Sequence, residues 1–339
     1  MNIKEKRMDK ESLKKFIPAF VLNLYYRIQY PIHVWPLVWY DARRFIRTSA
    51  KSDTEESLIG LITNNIHSIE KGFTMPDFRM GFGQKRLREI LDQCILYVNR
   101  YGTQNIQIAE AAKSILDYRK CHEEKGFGLP DDIQGKIQSF LNSFPNLYTE
   151  SIQVDMTKEE FFSKRDASFF EFSSSRRSSR NFTKEPLDVS LLEKAVALAQ
   201  NAPSACNRQS PRVYLVKTPE KVQEVLNYQG GNRGFGQTVD KLLIVCGYLG
   251  NYHDTERNCV YIDGGIFTMN LAYALHYYGV GGCILNWSVT KVRDKKIREI
   301  LPIRDNEVVI DIIACGNVPE SFKLCRSEKK QLESILSEL

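Results

Sequence analysis

Residues 173–188, SSSRRSSRNFTKEPLD, bring Arg176, Arg177 and Arg180 together with a run of serines in a stretch that has neither helix nor strand periodicity. Guanidinium groups offer bidentate donors to a phosphate, and hydroxyls and free backbone N–H groups fill its remaining acceptor positions. The same composition also describes a solvated basic loop. A second polar stretch, NAPSACNRQSPRVYLV at 201–216, sets Asn, Ser and Gln between a helix and a strand, with Pro203 fixing its shape. Such a loop can hydrogen-bond the edge of a ring cofactor. A third, GVGGCILNWS at 279–288, leads a glycine-rich turn into an apolar strand, which lets backbone approach a planar ligand closely.

The first half of the chain has its own cluster, HSIEKGFTMPDFRMGFG at 67–83. His67 and Glu70 stand one helical turn apart, Lys71-Gly72 ends that helix, and Arg79 with Gly81-Phe82-Gly83 reads as a rigid turn. One His-x-x-Glu could ligate a metal, but di-metal sites need further carboxylates. Two readings stay open: these side chains tie the turn to a neighbour, or they bind a substrate or partner. GGNRGFG at 230–236 matches neither GxGxxG after a strand nor GxxxxGK[ST]. It precedes a strand and reads as a loop, either plain and flexible or lying over a site with Arg233 and Phe235 as substrate contacts. The eight cysteines form no CxxC pair, and only Cys121-His122 are adjacent, so no metal is expected.

The elements that must position these residues fall into two parts. Residues 1–165 read as mainly helical: 84–100 places Leu87, Ile90, Leu91, Cys94, Ile95 and Val98 on one stripe, and further helices are expected at 103–122 and 131–143. From about residue 168 the pattern alternates. Helices are expected at 190–200, 217–228, 264–278 and 291–300. Strands are expected at 213–216, 241–247, 283–285 and 308–315. That order indicates a sheet flanked by helices. The division is therefore 1–165, a helical region, and 166–339, a region of alternating helices and strands.

A chain of 339 residues is long enough for either one large or two ordinary domains. The net charge of +6 can be absorbed by one bound anion. No RNA-recognition signature, zinc-finger spacing or long basic run with interleaved aromatics is present, so no nucleic acid partner is expected. The charged opening MNIKEKRMDKESLKK lacks the apolar core of a secretory signal, which favours a reducing, cytoplasmic setting for the thiols. Residues 16–40, FIPAFVLNLYYRIQYPIHVWPLVWY, are apolar and aromatic but interrupted by Pro18, Pro31 and Pro36. They read either as one or two short helices packed on the body, or as an interfacial anchor giving peripheral membrane contact.

Taken together, RRSSRNF (176–182), APSACNRQSPRVYLV and DGGIFTMNLAYALHYYGVGGCILNWS (263–288) resemble, in order, three motifs of the nitroreductase-like flavoproteins. The resemblance covers about residues 168–326; Ser210-Pro211-Arg212 departs from the Pro-Trp usual in the family. It implies an α+β fold, an α/β sandwich with a mostly antiparallel sheet preceded by the helical region, an intertwined homodimer, and non-covalent FMN at the dimer interface, so that 166–339 would be the FMN-binding domain. By motif position, Arg176, Arg177, Ser178 and Arg180 would hold phosphate, ribityl chain and pyrimidine edge, with Arg180 placing charge near flavin N1/O2. Pro203, Ser204, Ala205, Asn207 and Gln209 would come from the partner subunit. Leu285, Asn286 and Trp287 would cover the flavin face, and Lys323 and Arg326 would complete the phosphate site. The HxxEKG–GFG stretch resembles an N-terminal extension of nitroreductase-like proteins associated with bacterial surface-polysaccharide gene sets.

These readings lead to an FMN-dependent oxidoreductase. NAD(P)H would be the hydride donor, and the acceptor an unnamed small-molecule or glycan-related substrate. No protein nucleophile is required. Two alternatives stand beside it: a flavin-dependent dehydrogenase of a biosynthetic intermediate, and a non-catalytic scaffold in a glycan-assembly complex.

Overall fold

The computed structural model describes residues 18–48, 54–147 and 151–339. Residues 1–17, including the first two of the 16–40 stretch, lie outside the described residues. The remainder of that stretch belongs to one helix of 30 residues, α1 (Ala19–Thr48), with Pro31 and Pro36 inside it. The expectation of short helices packed on the body is corrected. Trp35 is 69% and Trp39 58% exposed, and the helix is tied down near its end, where Arg257 donates to Asp41 and to the Leu37 carbonyl. No helix of the described residues is long and apolar enough to cross a membrane.

Four helices then form a bundle: α2 (Glu55–Phe73), α3 (Gln84–Tyr101), α4 (Ile106–Glu124) and α5 (Asp131–Leu141). Thr54 caps α2 by accepting from the Ser57 N–H at 3.2 Å, and Glu55 and Glu56 complement the helix dipole in its first turn. Ile59, Ile62, Ile66, Ile69 and Phe73 recur at helical spacing and are buried against Leu87, Ile90, Leu91 and Cys94 of α3, the stripe expected from sequence. The GFG turn that follows α2 is rigid. Tyr118 donates to the Phe82 carbonyl at 2.8 Å, and the Gly81 N–H donates to Nε2 of the fully buried His122 at 2.9 Å. Gly72 is needed here, because a Cβ would stand 2.1 Å from the Phe82 ring.

The second half is built on a four-stranded antiparallel sheet. Its strands are β2 (Pro211–Val216), β3 (Lys241–Tyr248), β4 (Gly281–Asn286) and β5 (Glu307–Gly316), in the order β2-β3-β5-β4. The nearly continuous apolar run of β3 is explained by burial on both faces. Leu242, Ile244 and Cys246 pack with α9 (Pro219–Leu226) and α11 (Lys291–Ile300), while Leu243 and Val245 pack with α8 (Val189–Ala199) and α10 (Cys259–Tyr277). The architecture is thus a helix and antiparallel-sheet sandwich preceded by a helical region.

Two strands escaped sequence reading. β1 (Gln153–Thr157) pairs antiparallel with β6 (Ser321–Cys325), in register Gln153↔Cys325 to Thr157↔Ser321. Short helices α6 (Lys158–Phe162) and α7 (Phe169–Ser175) follow β1. Phe161 and Phe162 pack on Phe322 and Leu324, so this small sheet spans the expected boundary at 165.

Candidate functional site

The arginine segment leaves the end of α7 and runs along the β4 edge of the sheet. The Ser179 N–H donates to the Gly282 carbonyl at 3.0 Å, and its hydroxyl donates to the Asn181 carbonyl at 3.1 Å. This fastening fixes which side chains point where. Arg176 turns inward among Phe161, Ala272, His276 and Gly282, and its Nε is buried without a hydrogen-bond partner. Burial weakens its hold on the proton. Arg177 donates through Nη1 to the Arg326 carbonyl. Ser178 lies close to the buried Cys283 thiol, whose pKa burial raises against the opposing charges of Arg180 and Arg176. Among the described residues neither Arg176 nor Arg180 is paired with a carboxylate. A carboxylate-free cluster of guanidinium groups, one with an orphaned donor, is a donor set that lacks its acceptor.

The PSACNRQS loop is held in strained backbone. Cys206, Asn207 and Gln209 all have positive φ, at 52°, 55° and 49°. The carboxylate of Asp263, at the start of α10, pins the loop by accepting from the Ala205 N–H at 3.1 Å. Tyr252 donates to the same carboxylate at 2.7 Å, and the Gln209 N–H donates to Ser204 Oγ at 2.9 Å. Asn207 and Gln209 are exposed, and Pro203, Ser204 and Gln209 line a cleft of about 230 Å³ with Phe267. Sequence reasoning missed Asp263 and Tyr252; the DGG at the head of α10 was the available signal.

The strand order separates these two parts. The loop leads into β2 and the arginine segment borders β4, the opposite edges of the sheet. Three strand spacings amount to roughly 14 Å. Within one chain the loop therefore does not reach the arginines.

Other expected residues divide. Leu285 is buried, Asn286 is exposed, and the Asn286 carbonyl accepts from Gln229 Nε2 at 3.0 Å. Trp287 is 9% exposed and its Nε1 donates to Asp294 at 3.0 Å, so packing and a hydrogen bond hold it in the core. Phe235 is 1% exposed and faces Phe182, whereas Arg233 is exposed. The 230–236 loop is tied by Asn232 Nδ2, which donates to the Leu226 and Gln229 carbonyls at 2.8 and 2.6 Å. Lys323 points from the outer face of β6 and lies 3.9 Å from Asp155, away from the arginines. Its strand position explains this: Phe322 and Leu324 face inward, so the residue between them faces out. Arg326, one residue past β6, meets Arg177 through its backbone carbonyl and also lines the cleft beside His67 and Glu70.

In the helical region His67 Nδ1 stands 3.0 Å from Glu70, and Ser114 donates to the same carboxylate at 3.2 Å. With Glu110, Lys113 and Arg326 they line a cleft of about 480 Å³. Both readings of His67 and Glu70 keep support, since the pair ties α2 to α4 and also faces a cleft. Among the described residues no three His, Cys, Asp or Glu side chains gather as a metal site.

The nitroreductase family model matches residues 174–234. Among solved structures, the chain is similar to an FMN-dependent nitroreductase from Clostridium difficile R20291, at 22% identity over 49% of this chain and 92% of that one, TM-score 0.40. A nitroreductase family protein from Streptococcus pneumoniae TIGR4 matches at 20% identity over 51% and 100%, TM-score 0.43. One from Clostridium difficile 630 matches at 20% identity over 50% and 97%, TM-score 0.43. The matched family segment, less than a fifth of the chain, contains the arginine segment, the PSACNRQS loop and β2.

Proposed function

We propose that this protein is an FMN-dependent oxidoreductase that uses NAD(P)H and works as a homodimer. The observation that carries the reading is the carboxylate-free arginine cluster with its buried, unpartnered Arg176 Nε. A dianionic phosphate would supply the missing acceptor, and Arg176, Arg177 and Ser178 are the residues that would hold it. Arg180 would place positive charge at the ring. When bound, FMN supplies hydride chemistry at its N5, accepting from reduced nicotinamide and delivering to a second substrate. The protein's part is to fix the ring, exclude water and hold the cations in place.

The separation of the loop from the arginines across the sheet supports a site completed by a partner subunit. The resemblance of the 67–83 stretch to polysaccharide-associated proteins supports a glycan-related small molecule as acceptor. The exposed aromatics of α1 support peripheral membrane contact.

The test is an absorbance spectrum of the purified protein, with FMN added if it is colourless, before and after anaerobic NADH or NADPH. Flavin bands that bleach support the proposal. A protein that never takes up FMN overturns it, and a yellow one that neither nucleotide bleaches moves the reading to the dehydrogenase. Arg176→Ala with Arg180→Ala is expected to weaken FMN binding by at least about a hundredfold, since charge-assisted hydrogen bonds are lost at two residues.

A further inference from the structure

The turn that ends α2, Lys71–Met75, is gripped by the second half of the chain from three sides. Asn181, next to Arg180, donates through Nδ2 to the Thr74 carbonyl at 2.8 Å. Thr74 Oγ1 lies 3.9 Å from Cys325 Sγ at the end of β6. Gly234 takes φ +88° against Met75, where a Cβ would stand 2.7 Å from the sulfur. The helical region therefore delivers the side chain at position 71 to the arginine segment itself.

That side chain is a half-buried lysine whose ammonium makes no hydrogen bond or ion pair among the described residues. Its neighbours are of the wrong charge to satisfy it. Burial holds its pKa below the ordinary lysine value, and the positive charges of Arg180 and Arg86 act in the same direction; the groups that oppose this are the thiols Cys283 and Cys325, whose own pKa values burial raises. The adjacent carboxylate, Glu70, is turned to His67 and Ser114. A cation that costs solvation and repels a neighbouring guanidinium does not serve the fold on its own account. It makes sense once an anion arrives.

We propose that Lys71 is a further binding residue of the cofactor site, its ammonium sharing with Arg180 the negative charge of bound FMN. The inference rests on the FMN reading. It assigns the helical region a direct part in the site, with the fold of 67–83 serving to present one ammonium across the boundary between the two halves.

The experiment compares the full-length wild-type chain with Lys71→Met and Lys71→Arg, by FMN titration of the apoproteins and by their thermal unfolding without flavin. Lys71→Met is expected to raise the FMN Kd at least about tenfold, as loss of a charge-assisted contact would. Lys71→Arg should restore most of the affinity. Without FMN, Lys71→Met should melt no lower than wild type, because it removes a repulsive charge. Opposite signs for ligand affinity and apo stability are what a merely structural lysine cannot give. Unchanged FMN affinity in Lys71→Met overturns the assignment while leaving the FMN reading standing, and so does a lowered apo melting temperature. A wild-type chain that binds no FMN overturns both.

Discussion

At the scale of single residues, the arginine segment is organised by what lies behind it. His276 is 2% exposed, faces Phe161, Phe162 and Phe172, and has its Nε2 3.0 Å from Ser175 Oγ. Burial, then the charges of Arg176 and Arg165, push its pKa down to about 4 from an ordinary 6.5. The folded state therefore favours the neutral ring. Its contribution is complete above pH 6.5 and is lost as pH falls from 6.5 to about 4. The loss is of order 3 kcal/mol for a shift of this size. His276→Gln should keep the hydrogen bond to Ser175 and flatten the fall in melting temperature over that interval; an undiminished slope would show that other groups dominate acid unfolding. The arginines themselves were legible from sequence, because charge density in a structureless stretch needs no tertiary information. Asp263 and Tyr252 were not, because their role depends on the loop meeting the head of α10 across more than fifty positions of chain, and no local pattern encodes that meeting. Lys323 and Arg326 show a finer limit: both are basic, but the alternation of β6 turns Lys323 outward, and Arg326 meets Arg177 through its backbone carbonyl.

At the scale of elements, legibility followed periodicity. The stripe of α3 and the strands β3 and β5 were read correctly because each buries a full face, and burial writes itself into the spacing of apolar residues. β1 and β6 are five residues long, with one face toward solvent, and their pairing joins positions more than 160 apart, so neither stood out. The α1 helix misled in the other direction. Two prolines argued for interruption, yet the structure carries the helix through both, because a lost N–H donor on an exposed helix leaves its former carbonyl partner open to water. Its attachment to the rest of the chain centres on Arg257 and Asp41. Truncation to residue 49 should accordingly leave FMN affinity within about twofold and the melting temperature within about 3 °C, measured side by side with the full chain. The same truncation should abolish sedimentation with anionic lipid vesicles if the exposed Trp35 and Trp39 face is an anchor. Loss of folding on truncation would instead show α1 to be part of the core of the assembled protein.

At the scale of the whole molecule, the sheet holds the loop and the arginine segment apart, and the proposed cofactor site requires both. The loop with Asn207 and Gln209 enters β2 while Arg176 and Arg180 flank β4, and β3 and β5 lie between. No rotamer change spans that distance, and the loop is further restrained by Asp263. The outer face of α10 meanwhile leaves Ile262 58% and Tyr261 52% exposed, an apolar surface beside the loop that a second subunit would cover. A homodimer with a twofold axis would create two sites, each taking arginines from one subunit and the loop from the other. This arrangement makes a distinctive prediction. A variant carrying Arg176→Ala and Arg180→Ala should bind little FMN, and so should one carrying Asn207→Ala and Gln209→Ala. Mixed, unfolded and refolded together, the two should form hybrids in half of the dimers. Each hybrid holds one site with both halves damaged and one with both intact, so FMN capacity should return to about a quarter of the wild-type value, with wild-type affinity. If each chain built its site alone, no mixture of the two variants could regain any tight site. The stoichiometry of bound flavin in the refolded mixture therefore separates a shared site from a private one without reference to turnover or to any substrate.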